Sequence, residues 1–335
     1  MKSHLERAIC FAPMEGVTTA VYRRVHKRHF RGIARYYSPF IVASDTRSFR
    51  RREKREFYPF EPGLVPQILT ASARDFIWAA KRLADTGYGE VNLNLGCPSA
   101  TVVTKGKGSG MLKDPRLLKL FFDEVFVEPD MPGISIKTRI GFEERSEAEE
   151  LADVFSLYPF SEVIIHPRTR QDLYDGKPDM DAFLLMAEKI RNGSGRESRI
   201  VYNGDVWDIS DYDRICSMLP PDMGIMIGRG LIADPCMADE ILFSAFTETP
   251  ERIEGIRMFL RDLREEYRHE LSGDRDVLFK LKEIWSYMGR KLASQGTEDA
   301  LKAIRRTGSL SEYILAERQI LDGASGMLWF IPCFI

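Results

Sequence analysis

Eight short apolar runs constrain the fold of this chain most: "ICFAPM", "ARYYSPFIV", "LVPQIL", "EVNLNLG", "ISIKTRIG", "EVIIHPR", "RIVYNGD" and "GIMIGRG". Each is continuous rather than alternating, which marks strands buried on both faces. Between them lie stretches such as "SARDFIWAAKRLADTG", "DPRLLKLFFDEVF" and "MDAFLLMAEKI", with apolar residues three and four apart. Strand and helix in strict alternation predict an α/β protein built as a parallel (β/α)8 TIM barrel. An open doubly wound sheet would carry a glycine-rich phosphate turn after its first strand, where this chain reads "APMEG". After about residue 245 the strand runs stop, and amphipathic helical patterns such as "DVLFKLKEIWSYMGRKLA" take over. The expected domains are therefore a barrel over 1–243 and a small all-helical domain over 244–335.

The length of 335 residues suits a barrel of about 250 residues with an appendage. The net charge of −2 neither demands nor excludes a polyanionic partner. Cys10, Cys97, Cys216, Cys236 and Cys333 are scattered, with no C-x-x-C pair and no histidine at metal-ligand spacing. That pattern predicts no disulfide framework and no metal site, and it suits a reducing cytoplasm. The first residues lack the apolar core of a secretory signal. The final "GMLWFIPCFI" is about half the length of a membrane span and is expected to pack on its own domain. A monomer with no membrane partner is the expectation.

In a barrel of this kind the active site lies at the C-terminal strand ends, with phosphate often held after strands seven and eight. Here those ends carry polar residues that a packed core would not select. Strand one delivers Pro13, Met14, Glu15 and Gly16, and strand three Gln67. Strand four brings Asn92, Asn94 and Cys97, strand five Lys137 and Arg139, and strand six His166 and Arg168. Strand seven ends in Asn203, Gly204 and Asp205, strand eight in Gly228 and Arg229. Singly, the lysine could be a snorkelling strand end and the cysteine a core filler. Together they suit flavin chemistry. Backbone N–H groups and an arginine after strands seven and eight would hold a phosphate, and a lysine near a reduced flavin would stabilise its negative charge. "GKGSG" has the wrong spacing for a P-loop or a dinucleotide fingerprint, and is expected to be a mobile substrate loop.

"APMEGVTTAVYR", "LNLGCPSATVVTKGKGSGML", "ISIKTRIGF", "IIHPRTR", "VYNGDVWD" and "IMIGRGLIADP" together resemble the tRNA dihydrouridine synthase family. One departure lies in strand two, "YYSPFIVAS", where Pro39 interrupts the run. The resemblance implies an FMN enzyme, reduced by NADPH or NADH, that converts a uridine of tRNA to 5,6-dihydrouridine. By position it makes Cys97 the catalytic residue. Pro13 to Gly16, Gln67, Lys137, His166, Asn203 to Asp205, Gly228 and Arg229 match its FMN positions. Asn94, Arg139 and Arg168 match its substrate positions. Hydride adding at C6 of uracil leaves an enolate that needs a proton at C5. A thiol, mostly protonated at neutral pH yet easily ionised, suits that general-acid role.

The RNA partner is further supported by basic stretches, "YRRVHKRHFRGIARYY" and "TRSFRRREKRE", and by cations in the C-terminal helices such as Arg264, Arg268 and Lys280. Acidic residues elsewhere balance the total, so a neutral sum can hide a basic face. The rival reading is an FMN-dependent barrel oxidoreductase acting on a small enone or pyrimidine, which would share the cofactor residues but not need a basic appendage.

Overall fold

The computed structural model of the chain describes residues 7–193, 198–292 and 298–325. Cys333 and the apolar tail, expected to pack on its own domain, lie outside the described residues. Ten parallel strand segments form one sheet: β1 (Ile9–Phe11), β2 (Arg35–Tyr37), β3 (Ile41–Val42), β4 (Leu64–Val65), β5 (Gln67–Leu69), β6 (Glu90–Leu95), β7 (Gly133–Gly141), β8 (Glu162–Thr169), β9 (Arg199–Tyr202) and β10 (Gly224–Ile227).

The ten segments occupy the eight expected strand positions. Pro39 and Pro66 lack the N–H that a ladder needs, so each breaks its strand in two. Consequently β2 pairs with β4 (Tyr36 opposite Leu64) and β3 pairs with β5 (Ile41 opposite Ile68). The two ends of the sheet order, β3 and β4, thus belong to the same adjacent pair of broken strands, and the sheet closes on itself. Ser38 spans the break: its N–H donates to the Val65 carbonyl at 3.3 Å and its Oγ accepts the Gln67 N–H at 3.0 Å.

The strands are short, apolar and buried because both faces are covered. Side chains from strands around the ring, among them Cys10, Tyr37, Val65, Ile164, Val201 and Met226, form a buried cluster. The helices follow their sequence signals. Helix Ala73–Ala84 is capped by Ser72, whose Oγ accepts the Asp75 N–H at 3.2 Å. Helix Pro115–Val127 is capped by Asp114, with proline at its first position.

By compactness the chain divides into two units. The first takes the described residues of Met1–Glu15, Arg35–Asp205 and Leu219–Ile227, and so holds every strand. The second takes those of Gly16–Ala34, Val206–Met218 and Gly228–Ile335, drawing the segments 16–34, 206–218 and 228–243 from within the span read as barrel. Inside it, Tyr22 and Phe30 of the 16–34 segment pack on Phe259, with ring centroids 5.5 and 5.6 Å apart. Buried Arg264 meets Glu317 at 2.9 Å, and the Trp285 indole donates to the Tyr313 hydroxyl at 2.7 Å. Among the described residues no helix is long and apolar enough to cross a membrane.

Candidate functional site

Within the first unit, the neighbouring strands β5, β6 and β7 carry a ladder of buried amides. The Gln67 amide donates to Asn92 Oδ1 at 2.8 Å and accepts from Asn94 Nδ2 at 2.7 Å, while Asn92 donates to Ser135 Oγ at 3.0 Å. Asn94 then turns the chain: its Oδ1 accepts the N–H groups of Gly96 and Cys97 at 3.1 and 2.9 Å. A buried amide with both its oxygen and its nitrogen engaged has one orientation, so the turn carrying Cys97 is held in place. Asn94 and Gln67 each keep one N–H uncommitted among the described residues.

The glycine-rich segment also holds the cysteine. It was expected to be a mobile loop, but it is packed as a short helix (Ala100–Val103) followed by a 3-10 helix (Gly108–Lys113). Ser109 donates through both its N–H and its hydroxyl to the Cys97 carbonyl, at 3.1 and 2.8 Å. Gly108 sits at φ +58°, and a Cβ there would stand 2.9 Å from that same carbonyl oxygen. Only glycine combines this conformation with this approach. Cys97 itself is half-buried. Burial pushes its thiol above the ordinary value and outweighs the Ser99 N–H, Arg139 and Lys137, which favour the thiolate. The sulfur therefore keeps its proton at neutral pH.

Lys137 and Arg139 alternate along β7, and Asn94 lies opposite Lys137, His166 opposite Arg139. Lys137 is half-buried and has no hydrogen bond or ion pair among the described residues; burial, with Arg139 nearby, lowers its pKa to about 7. His166 is buried, its Nε2 without a partner, and burial beside Arg139 and Lys137 holds the ring neutral. Arg139 donates Nε to the Gly96 carbonyl (2.9 Å) and Nη1 to those of Thr169 and Leu173 (2.7 and 2.9 Å). Its Nη2 makes no hydrogen bond among the described residues. Arg168 is fully engaged in shaping the chain after β8. It meets Asp205 through both oxygens at 3.2 and 2.6 Å and donates to the carbonyls of Asp175 and Gly176.

Asn203 follows β9 and donates Nδ2 to the Met226 carbonyl at 2.8 Å. At Gly204 a Cβ would fall 2.0 Å from the Tyr202 hydroxyl, so a side chain there would have to displace that buried ring. Pro13, Met14 and Glu15 follow β1 directly. Gly16, Gly228 and Arg229 belong to the second unit. There Gly16 (φ +79°) offers its carbonyl to Lys280 at 2.7 Å. Gly228 precedes helix Arg229–Ala233, and the guanidiniums of Arg229 and Arg290 lie 5.0 and 5.5 Å from the Trp207 ring centre.

Sequence reasoning passed over two residues of this region. Ser109, buried against Cys97, was hidden inside a glycine-rich run. Tyr174, whose ring meets His166 edge-on at 6.0 Å and Arg139 at 5.5 Å, had no local signal at all, since both contacts come from folding. The unmet hydrogen-bonding groups of Lys137, His166 and Arg139 lie on adjacent strands beside a protonated thiol. A flat heterocycle rich in carbonyl and ring-nitrogen acceptors, as flavin is, fits that set.

The comparison with known families decides the assignment. The family described as "Dihydrouridine synthase (Dus)" matches residues 10–308. The chain belongs to that family. With membership comes the class the motifs implied, a flavin-dependent oxidoreductase. A probable tRNA-dihydrouridine synthase of Rhizobium leguminosarum bv. phaseoli is 29% identical over 233 residues, 68% of this chain and 69% of its own. One from Staphylococcus aureus (strain COL) is 31% identical over 235 residues, 67% of this chain and 68% of its own. A tRNA-dihydrouridine(16) synthase of Pseudomonas syringae pv. tomato is 28% identical over 247 residues, 70% and 74% of the two chains. Among solved structures, morphinone reductase aligns over 71% of this chain and 86% of its own, at a TM-score of 0.47 and 11% identity.

Proposed function

We propose that this protein reduces the C5=C6 bond of a specific uridine in tRNA to 5,6-dihydrouridine, using FMN and NADPH or NADH, with Cys97 as proton donor. Family membership and the names of its relatives support the substrate. One observation carries the chemistry: a thiol held in its protonated form stands just past β6, with the unpartnered Lys137 amine and His166 ring on the adjoining strands β7 and β8. When bound, the flavin supplies hydride for C6 of the uracil ring.

The chain's own residues do the rest. Asn94 and Ser109 fix the Cys97 backbone, so the sulfur presents its proton in one direction. Lys137 and Gln67 bind the ring edge of the cofactor, the lysine through hydrogen bonds and charge. His166 offers its free Nε2, and Asn203, Gly204 and Asp205 form the wall after β9. Pro13, Met14, Glu15, Gly16, Gly228 and Arg229 enter this proposal on the motif resemblance. The uncommitted Nη2 of Arg139 and the Asn94 amide are the groups for the uracil carbonyls, while Arg168 positions the chain after β8. The tRNA-binding role of residues 244–335 likewise rests on the resemblance, the cytoplasmic setting rests on the scattered cysteines, and a monomer is proposed because no sequence feature calls for a dimer.

The test is mass-spectrometric mapping of dihydrouridine in tRNA from cells with and without the gene, beside NADPH oxidation by purified protein. Loss of one dihydrouridine position in the deletion, and turnover on unmodified tRNA but not free uracil, are the expected results. Turnover on a small enone with every tRNA position unchanged would replace this reading with the small-molecule one.

A further inference from the structure

Charge pairing separates the basic stretches into two kinds. In the second unit most cations are already neutralised: Arg24 meets Glu270 at 3.2 Å, Arg28 meets Glu266 at 2.7 Å, Arg264 meets Glu317 at 2.9 Å and Lys291 meets Asp234 at 3.8 Å. In the first unit the segment between β3 and β4 is different. Arg47, Arg50, Arg51, Arg52, Lys54 and Arg55 are all exposed, and none has an acidic partner among the described residues. Of the three acids in 45–60, Asp45 is exposed, Glu56 is half-buried, and Glu53, in the midst of the cations, is turned inward: it is 5% exposed, and its carboxylate accepts the Arg50 N–H at 2.8 Å.

The segment is also firmly mounted. Phe49 and Phe57 are buried edge to face at 5.0 Å, and Phe49 packs on Trp78 of helix Ala73–Ala84 at 4.8 Å. The Tyr88 hydroxyl donates to the Phe57 carbonyl at 2.7 Å. Its start lies beside the glycine-rich segment that pins Cys97, since Lys107 of that segment reaches the Ala43 carbonyl at 3.5 Å. Beside the cations stand two exposed rings, Tyr58 at 68% and Phe60 at 48%. Unpaired arginines with exposed aromatics, on a loop anchored by its own core, make a surface complementary to an RNA backbone.

We propose that the loop 45–60 of the barrel, rather than the helical unit, supplies the main electrostatic anchor for the tRNA substrate. This rests on the reading of the protein as a tRNA-modifying enzyme. Each phosphate neutralised steepens the salt dependence of binding by about 0.7–0.9 in log–log slope. The experiment measures tRNA affinity of the flavin-loaded protein between about 50 and 200 mM KCl. It compares the natural chain, the variant R47Q/R51Q/R52Q/R55Q, and R24Q/R28Q as a paired-cation control.

The loop variant is expected to bind at least about tenfold more weakly at low salt, with a slope shallower by about 3. Its KM for tRNA rises while flavin content and NADPH-driven flavin reduction stay as in the natural chain. The control changes little. Should the fourfold change lower flavin content, Arg52→Glu alone, on an exposed helix position, makes the same comparison. Affinity and slope equal to the natural chain, with flavin retained, overturn the anchor and leave the enzymatic reading standing. A natural chain that neither binds tRNA nor forms dihydrouridine overturns the enzymatic reading, and the anchor with it.

Discussion

Cys97 is placed by four hydrogen bonds on its backbone and its turn, and its proton is kept by burial; neither depends on its neighbours being charged. Cys97→Ala should therefore leave flavin content and NADPH-driven flavin reduction unchanged, while dihydrouridine formation falls by about 10²–10⁴-fold, the usual worth of a positioned general acid. Single-turnover assays on tRNA check this, and undiminished product would remove Cys97 from the chemistry. Lys137 makes a different prediction. Its folded-state pKa of about 7 lies below the ordinary 10.5, because burial disfavours the ammonium. Between those values the unfolded chain holds a proton that the folded chain does not, so stability must rise as pH climbs through that window. Urea unfolding of flavin-free protein should show this rise, and Lys137→Met should flatten it. An identical slope in the variant would mean that the ammonium is solvated in the folded protein.

At the scale of elements, the structure answers why a lysine- and glycine-rich run follows the cysteine. Its glycines let the 3-10 helix Gly108–Lys113 bring backbone into contact with the Cys97 carbonyl, which a side chain would prevent. Gly108→Ala would place a left-handed φ on a residue with a Cβ, costing about 1–2 kcal/mol, and would add a contact at 2.9 Å. The displaced partner is the cysteine's own turn. Turnover on tRNA should fall more than tenfold while flavin content changes little, read from absorbance and initial rates on the same preparation. Equal loss of both would show instead that the 3-10 helix supports the whole barrel end. The Pro39 and Pro66 breaks belong to this scale too: each is visible in the sequence as a proline, but their alignment side by side, bridged by Ser38, arises only when the strands pair.

For the barrel as a molecule, the N-terminal strand ends bear stability rather than chemistry. Arg35, Glu90, Glu162 and Arg199 are the first residues of β2, β6, β8 and β9. Arg35 bridges Glu90 at 2.6 Å and Glu162 at 3.2 Å, and the Tyr37 hydroxyl donates to Glu162. Burial raises the Glu162 carboxyl, and Arg35 opposes that rise. Arg35→Met would leave two carboxylates with the more exposed Arg199, 3.3 and 3.5 Å away, as their one cation among the described residues. The loss should approach the low end of the ~3–5 kcal/mol typical of a broken buried pair. Denaturant midpoints test it, and turnover at a temperature where the variant stays folded should match the natural chain. A midpoint shift below about 1 kcal/mol would show that Arg199 alone neutralises this end.

The amino-acid sequence by itself determined the strand and helix alternation, the closed barrel, and the order in which Cys97 follows β6 while Lys137 and His166 lie within β7 and β8. Those depend on local period and on residues within one strand and its following turn. What only the tertiary structure decided is how polar groups are spent: the acids that silence Arg24 and Arg28, the carbonyls that occupy Arg168, and the serine that pins Cys97. Arg24 and Glu270 stand 246 residues apart in the chain, and no local pattern couples residues at that distance. Burial and hydrogen bonding fix a charge's availability only after folding has brought its partners, or none, within reach.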